Sequence, residues 1–188
     1  MKVAAGLGGV KRKAILLAKA YTLTHTITNE EDPMARVIAA EILVPAGVAQ
    51  VWRAWTTPAG IQTFFAPDCR VELRAGGPYE IYFNPEAEEG ARGSEGMRVL
   101  AFQTEKMLSF TWNAPPHLAA VRRQMTHVTL RLYANGPGET RVTLRHDGWG
   151  VGGQWDQAYA YFNRVWREVV LPRLQQRFRQ GPIDWKAL

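Results

Sequence analysis

The chain has 188 residues, 46% hydrophobic and 21% charged, a length that favours one domain and a balance that excludes a disordered chain. Its formal charge of +6 invites comparison with nucleic-acid-binding proteins. Beyond the Lys11–Lys13 cluster the basic residues are scattered, with no motif or stripe, so nucleic acid is excluded as an expected partner.

Residues 1–33 differ from the rest. GLGG at Gly6–Gly9 follows no strand and precedes no Gly-Lys-Ser/Thr, so it is neither a Rossmann nor a P-loop fingerprint. The apolar run AILLA is far shorter than the ~20 residues of a membrane span. Lys19 and His25 interrupt the stretch that would serve a signal peptide, and no small-x-small cleavage site follows cleanly. A cytoplasmic location is the expectation. EEDP at Glu30–Pro33 then breaks the chain, and well-patterned sequence begins at Met34. Residues 1–33 therefore read as a loosely attached N-terminal extension, with Met34 as an alternative start, and residues 34–188 as one domain.

ARVIAAEILV (Ala35–Val44) has the β-branched content of a first strand, stopped by Pro45. Val48, Val51, Trp52 and Trp55 then recur at i, i+3, i+4, i+7, which predicts an amphipathic helix. Thr57-Pro58 is a cap followed by proline at the first helical position, so a second short helix starts there and ends near Phe64-Phe65.

Strand-like segments follow. CRVELR leads through Gly76-Gly77, a hairpin turn, into PYEIYF, where Tyr79, Ile81 and Phe83 alternate with Glu80 and Tyr82. The single cysteine, Cys69, excludes an internal disulfide and a cysteine-cluster zinc site, and reads as a small buried or half-buried strand residue. NPEAEEGARGSEG is an acidic loop. MRVLAFQ and MLSFTWN come next, the latter with Leu108, Phe110 and Trp112 on one face. APPHLAAV is a long connection. QMTHVTLRLYA places Thr126, Val128, Leu130 and Leu132 on one face, and TRVTLRHD places Val142, Leu144 and His146.

The period then changes. From Trp155, apolar residues recur at Tyr159, Phe162, Trp166, Val169/Val170 and Leu174, which predicts one helix of roughly 25 residues facing the sheet. Pro172 is expected to kink it or end its first segment. The clustered glycines of GVGG join the last strand to this helix. The resulting class is α+β: a curved antiparallel sheet, two short helices after the first strand, and a long C-terminal helix covering one sheet face.

At this point the residues resemble a family. PAGVAQVWRAWTTPAGIQTFF, RAGGPYEIYF, VLAFQTEKMLSFTW and GETRVTLRHDGWG occur in order, ahead of a tryptophan-containing terminal helix. Together they resemble the SRPBCC (START-like, Bet v 1-like) superfamily, in the branch related to the C-terminal domain of the activator of Hsp90 ATPase. The resemblance spans about Val37 to Phe178. It implies a helix-grip fold around a hydrophobic cavity, in a family whose members bind lipids or small apolar molecules, cyclise polyketides, or touch Hsp90. Three departures stand out: Phe64-Phe65 where a tryptophan pair is frequent, Gln103-Thr104-Glu105 where a Pro-Pro turn is frequent, and the N-terminal extension.

The candidate ligand-binding residues are aromatic. Tyr79, Phe83, Phe110 and Trp112 from the strands, with Trp155, Tyr159 and Phe162 from the helix, are expected to converge on the cavity. Phe64, Phe65 and Trp149 are placed at its mouth, with His146 at the strand end beside them. His146 is the candidate catalytic residue, against the alternative of an inward polar group hydrogen-bonded to backbone. His127 alternates outward. The histidines at 25, 117, 127 and 146 have no metal-ligand spacing, so no metal and no cofactor are expected. Glu72, Glu80 and the Arg122-Arg123 pair read as solvated, with an acidic partner as the alternative for the arginines.

The sequence thus favours a binding protein for a small hydrophobic or aromatic molecule, with no membrane span and with a homodimer left open. A polyketide cyclase or dehydratase-like enzyme is the first alternative, using His146 as acid/base and Tyr79 or Tyr159 to orient substrate. An Hsp90-activator-like co-chaperone is the second.

Overall fold

Alternating apolar residues build the strands in the expected places, and their register decides what faces inward. The computed structural model describes residues 36–187. The extension at 1–33, with Lys11–Lys13 and His25, lies outside the described residues. The elements are β1 (Ile38–Val44), α1 (Val48–Thr56), α2 (Pro58–Ile61), β2 (Asp68–Val71), β3 (Tyr79–Tyr82), β4 (Val99–Gln103), β5 (Met107–Trp112), α3 (Ala119–Arg122), β6 (Thr126–Ala134) and β7 (Thr140–Asp147). The C-terminal helix follows as α4 (Gln154–Val165), a π-helical turn (Trp166–Val170) and α5 (Leu171–Gln180).

Five strands pair antiparallel in the order β1-β7-β6-β5-β4, and β2-β3 form a hairpin. Backbone bonds from Tyr79 N–H to the Met97 carbonyl (2.8 Å) and from Val99 N–H to the Gly77 carbonyl (2.9 Å) join the hairpin to the β4 edge. The register lines up Ile38, His146, Val128, Phe110 and Val99 across the five strands. All five side chains are buried, so one histidine sits within an otherwise apolar row. This is the α+β helix-grip architecture: a curved antiparallel sheet with the long C-terminal helix laid on its inner face.

Two local details fix the helices after β1. Thr57 Oγ1 accepts from Gly60 N–H at 3.0 Å, the expected cap of α2. Gly60 packs so closely on α1 that a Cβ there would lie 2.2 Å from the Arg53 carbonyl oxygen. Trp52 and Trp55 are buried as the spacing predicts, and Tyr79 donates its hydroxyl to the Trp55 carbonyl at 2.8 Å.

The effect of Pro172 is absorbed upstream. A proline inside a helix removes one N–H and crowds the carbonyl four residues back. Here the backbone widens before it, with Leu171 N–H reaching the Trp166 carbonyl, and α-helix resumes with Pro172 in its first turn. The helix therefore runs from Gln154 to Gln180 with a π turn at its centre. From it, Gln175 donates to the Leu43 carbonyl at 2.7 Å and Arg167 to the Ala39 carbonyl, satisfying acceptors on the free edge of β1.

The long connection that starts at Ala114 contains α3, a single helical turn too short to show a helical period in the sequence. Ala114, Leu118, Val121 and Ala158 form a small second core there, with Trp149 and Trp155 against it. Trp155 thus packs on α3, off the sheet-facing stripe expected for it. The stripe that does face the sheet is Phe162, Trp166, Val170, Leu171 and Leu174.

Candidate ligand-binding cleft

A cleft of about 510 Å³ opens beside the C-terminal helix, within the range usual for small-molecule sites. Its walls come from four places: the end of β3 with its loop (Phe83, Asn84, Ala91–Ser94), the end of β5 (Trp112–His117), Arg122 of α3, and the helix from Tyr161 to Arg173. The π turn supplies Trp166, Val169 and Val170 to the wall, so the widened backbone lies at the cleft itself.

The floor is aromatic. Phe65 and Trp112 stack at 5.9 Å between centroids with 10° between planes. Trp166 lies 5.7 Å from Trp112, and Phe162 stacks on Trp166 at 6.4 Å. Phe83 meets Phe65 at 5.8 Å and Trp112 at 6.4 Å, yet remains 48% exposed, so it stands over the floor as a rim. The period-2 pattern that placed Phe83 with Tyr79 and Ile81 inside is right for those two only: β3 ends at Tyr82 and the chain turns outward.

The loop that forms one wall is pinned. Ser94 Oγ accepts from Ile81 N–H at 2.8 Å, and Ser94 N–H donates to the Ile81 carbonyl at 2.9 Å. Arg122 donates to the carbonyls of Gly90 (2.6 Å), Gly93 (2.8 Å) and Ala114, with Glu95 3.8 Å away. Its side chain is 15% exposed, so the solvated role expected for it is corrected: it is a clamp between loop and β5 exit. Burial lowers the guanidinium pKa, partly offset by Glu95. Glu80 is likewise no free surface carboxylate. It accepts from the Tyr82 hydroxyl at 2.8 Å and from Gly96 N–H at 2.8 Å.

The sequence-selected residues divide. Phe65, Phe83, Trp112 and Phe162 line the cleft. Phe64, Tyr79 and Phe110 are fully buried behind its floor, Tyr79 stacked on Phe110 at 4.3 Å. Phe64 and Phe65 were expected at a mouth, but their rings pack edge-on against Trp55 at 4.9 Å and 5.4 Å, which draws them into the core. Trp149, Trp155 and Tyr159 form a separate cluster. There Trp149 covers His146 at 4.2 Å, and Tyr159 donates its hydroxyl to the Val37 carbonyl at 3.2 Å.

His146 points inward as its alternation predicts, but not into the cleft. It is fully buried between Trp149, Phe162 and Trp166. Nδ1 meets the Trp166 indole N–H at 2.9 Å and Nε2 meets Thr126 Oγ1 at 2.7 Å. Burial, then the neighbouring His127, lowers its pKa to about 3. The ring is thus neutral and both nitrogens are engaged. His127 is exposed, 3.7 Å from Asp147. Cys69 is half-buried in β2, and burial raises its thiol to about 11. Among the described residues, no group of three or more His, Cys, Asp or Glu converges on a metal-sized site. No helix there is long and apolar enough to cross a membrane.

The sequence reading missed Arg122, Arg164, Arg173, Trp166, Val169 and the Ala91–Ser94 wall. Trp166 and Val169 were visible in the helix stripe. The loop residues carried no periodic signal, since their place depends on the distant Arg122.

Comparison with known proteins places these features. Residues 45–179 match the family model described as activator of Hsp90 ATPase homolog 1-like protein. No curated protein matches the chain in sequence. Among solved structures, protein MLL2253 from Mesorhizobium loti is similar at 22% identity and TM-score 0.61, covering 79% of this chain and 100% of that one. The Aha1 dimer from Colwellia psychrerythraea is similar at 19% identity and TM-score 0.58, covering 78% and 98%. DynU16, from the dynemicin biosynthetic locus, is similar at 19% identity and TM-score 0.55, covering 78% of this chain and 48% of that one. At these identities the structural likenesses establish the fold.

Proposed function

We propose that this chain, which belongs to the activator of Hsp90 ATPase homolog 1-like family, is a binding protein for a small apolar or aromatic molecule. The observation that carries this reading is the cleft beside the C-terminal helix, floored by Phe65, Trp112, Phe162 and Trp166. Aromatic walls suit an apolar ligand, which would lie over the buried floor rings with the half-exposed Phe83 ring against it. Phe83 closes over one side. The occurrence of DynU16 in a biosynthetic locus is compatible with a ligand of the natural-product type.

The catalytic alternative lacks this support. His146 does not line the cleft, and the hydroxyls of Tyr79 and Tyr159 are given to backbone carbonyls. The co-chaperone alternative has the family's name and no feature of the cleft behind it. A homodimer belongs to the proposal through the dimeric Colwellia neighbour. Light scattering on the eluting protein measures it, and a monomer at every concentration removes it.

The test of binding uses a neutral fluorescent two-ring probe, N-phenyl-1-naphthylamine. The protein is expected to bind it saturably, and Val169→Trp, which fills the cleft, to abolish the signal. Absence of binding, or binding untouched by that substitution, overturns the proposal.

A further inference from the structure

The cleft is apolar at its floor and one-signed at its rim. Among the described residues Arg92, Arg122, Arg164 and Arg173 line it, and no aspartate or glutamate does. Arg122 is committed to carbonyls and to Glu95. The other three make no carboxylate ion pair among the described residues. Among the described residues the Arg92 side chain reaches the Ala87 carbonyl through Nε, at 3.2 Å, while its backbone N–H donates to Glu95 Oε2 at 2.9 Å; Arg173 lies over the Trp185 ring at 5.4 Å.

Helix geometry makes this convergence informative. An unbroken α-helix would set residues 164 and 173 roughly 180° apart around its axis. The wider π turn between them removes part of that rotation, and both arginines line the same cleft. Burial lowers the Arg173 pKa, the mark of a partly desolvated cation that an anion would relieve.

We infer that the cleft selects a small aromatic carboxylate, its rings against Phe83 and Phe162 over the aromatic floor and its charge toward Arg164 and Arg173. This rests on the ligand-binding reading above and specifies its substrate class. A guanidinium matches a carboxylate with two parallel N–H donors, and a low-dielectric floor beneath the pair strengthens it. A cationic ligand of the same shape is excluded by the same rim.

The test compares 2-naphthoate with 2-naphthamide, nearly equal in shape and different in charge, by calorimetric titration of the full chain at low ionic strength. The acid should bind about tenfold more tightly, and added salt should narrow the gap. In an Arg164→Gln/Arg173→Gln double variant the acid should lose its advantage over the amide, and an unchanged circular-dichroism spectrum and unfolding midpoint report that the fold stands. Equal binding of acid and amide by the unmodified protein overturns this inference and leaves the ligand-binding reading intact. A preference that survives both substitutions overturns the assignment to these arginines. Failure of both compounds to bind overturns this inference, while the N-phenyl-1-naphthylamine titration decides the binding reading separately.

Discussion

The indole N–H of Trp166 donates to Nδ1 of His146 across 2.9 Å. An indole nitrogen can only donate, so Nδ1 is an acceptor and the proton of the neutral ring sits on Nε2. Nε2–H then donates to Thr126 Oγ1 at 2.7 Å, and Thr126 passes its own hydrogen to the Trp112 carbonyl at 3.1 Å. The chain of donors ties the C-terminal helix to three neighbouring strands with no group left over for proton transfer.

That arrangement sets a pH dependence. His146 has an ordinary value of 6.5 and is held at about 3 in the fold, by burial first and His127 second. Between those values the unfolded chain binds a proton that the folded chain refuses, so stability falls as pH falls. The slope from this one group is at most ~1.4 kcal/mol per pH unit. Urea unfolding at pH 7, 6 and 5 should show it, and His146→Gln should flatten the curve. A variant with an unchanged slope would show that other groups set the acid limit.

Trp55 and Trp166 are equally buried, each 1% exposed, but differ in what the indole nitrogen does. Trp166 holds His146, whereas Trp55 Nε1 finds no partner among the described residues. Replacing either by phenylalanine leaves a similar void. Trp166→Phe also strands a buried acceptor and should cost ~1–3 kcal/mol more than Trp55→Phe. Chemical denaturation of the pair decides it, and equal losses would mean that packing alone matters at both sites.

Much of this fold was legible in the sequence because strand alternation and helix spacing report burial directly. The stripe Val51, Trp52, Trp55 and the row Val142, Leu144, His146 are buried as read. The site was harder, because burial does not say what an aromatic residue faces. Tyr79, Phe110 and Phe64 met the same criterion as Phe65 and Trp112, and only the crossing of helix and sheet separates core from cleft floor. Arg122 looked like half of a charged surface pair. Its clamp depends on carbonyls of residues 90 and 93, some thirty positions upstream in chain order, and no local pattern announces such a contact.

Arg122 should therefore be a stability residue with a consequence for binding. Arg122→Ala removes three carbonyl contacts and one carboxylate neighbour, and the Ala91–Ser94 wall loses its anchor. A loss of ~1–3 kcal/mol is expected, with faster amide exchange across residues 84–95 than elsewhere. Probe affinity should fall as the wall moves. Exchange that rises evenly over the whole chain would place the clamp in the global core instead.

Phe83 and Phe65 separate binding from folding. Both rings touch Trp112, but Phe65 is 2% exposed and Phe83 48%. Truncating a buried phenylalanine costs ~3–5 kcal/mol through lost transfer energy and the void left behind. A half-exposed ring already keeps much of its surface in water, so Phe83→Ala should cost roughly 1 kcal/mol or less. It also removes the rim that would cover one face of a stacked ligand. The expected result is a nearly unchanged unfolding midpoint with several-fold weaker binding of N-phenyl-1-naphthylamine, the reverse of what a purely structural side chain would give. Unchanged affinity in Phe83→Ala would show that the ring lies off the path of the ligand, and would move the binding surface toward Phe162 and Trp166.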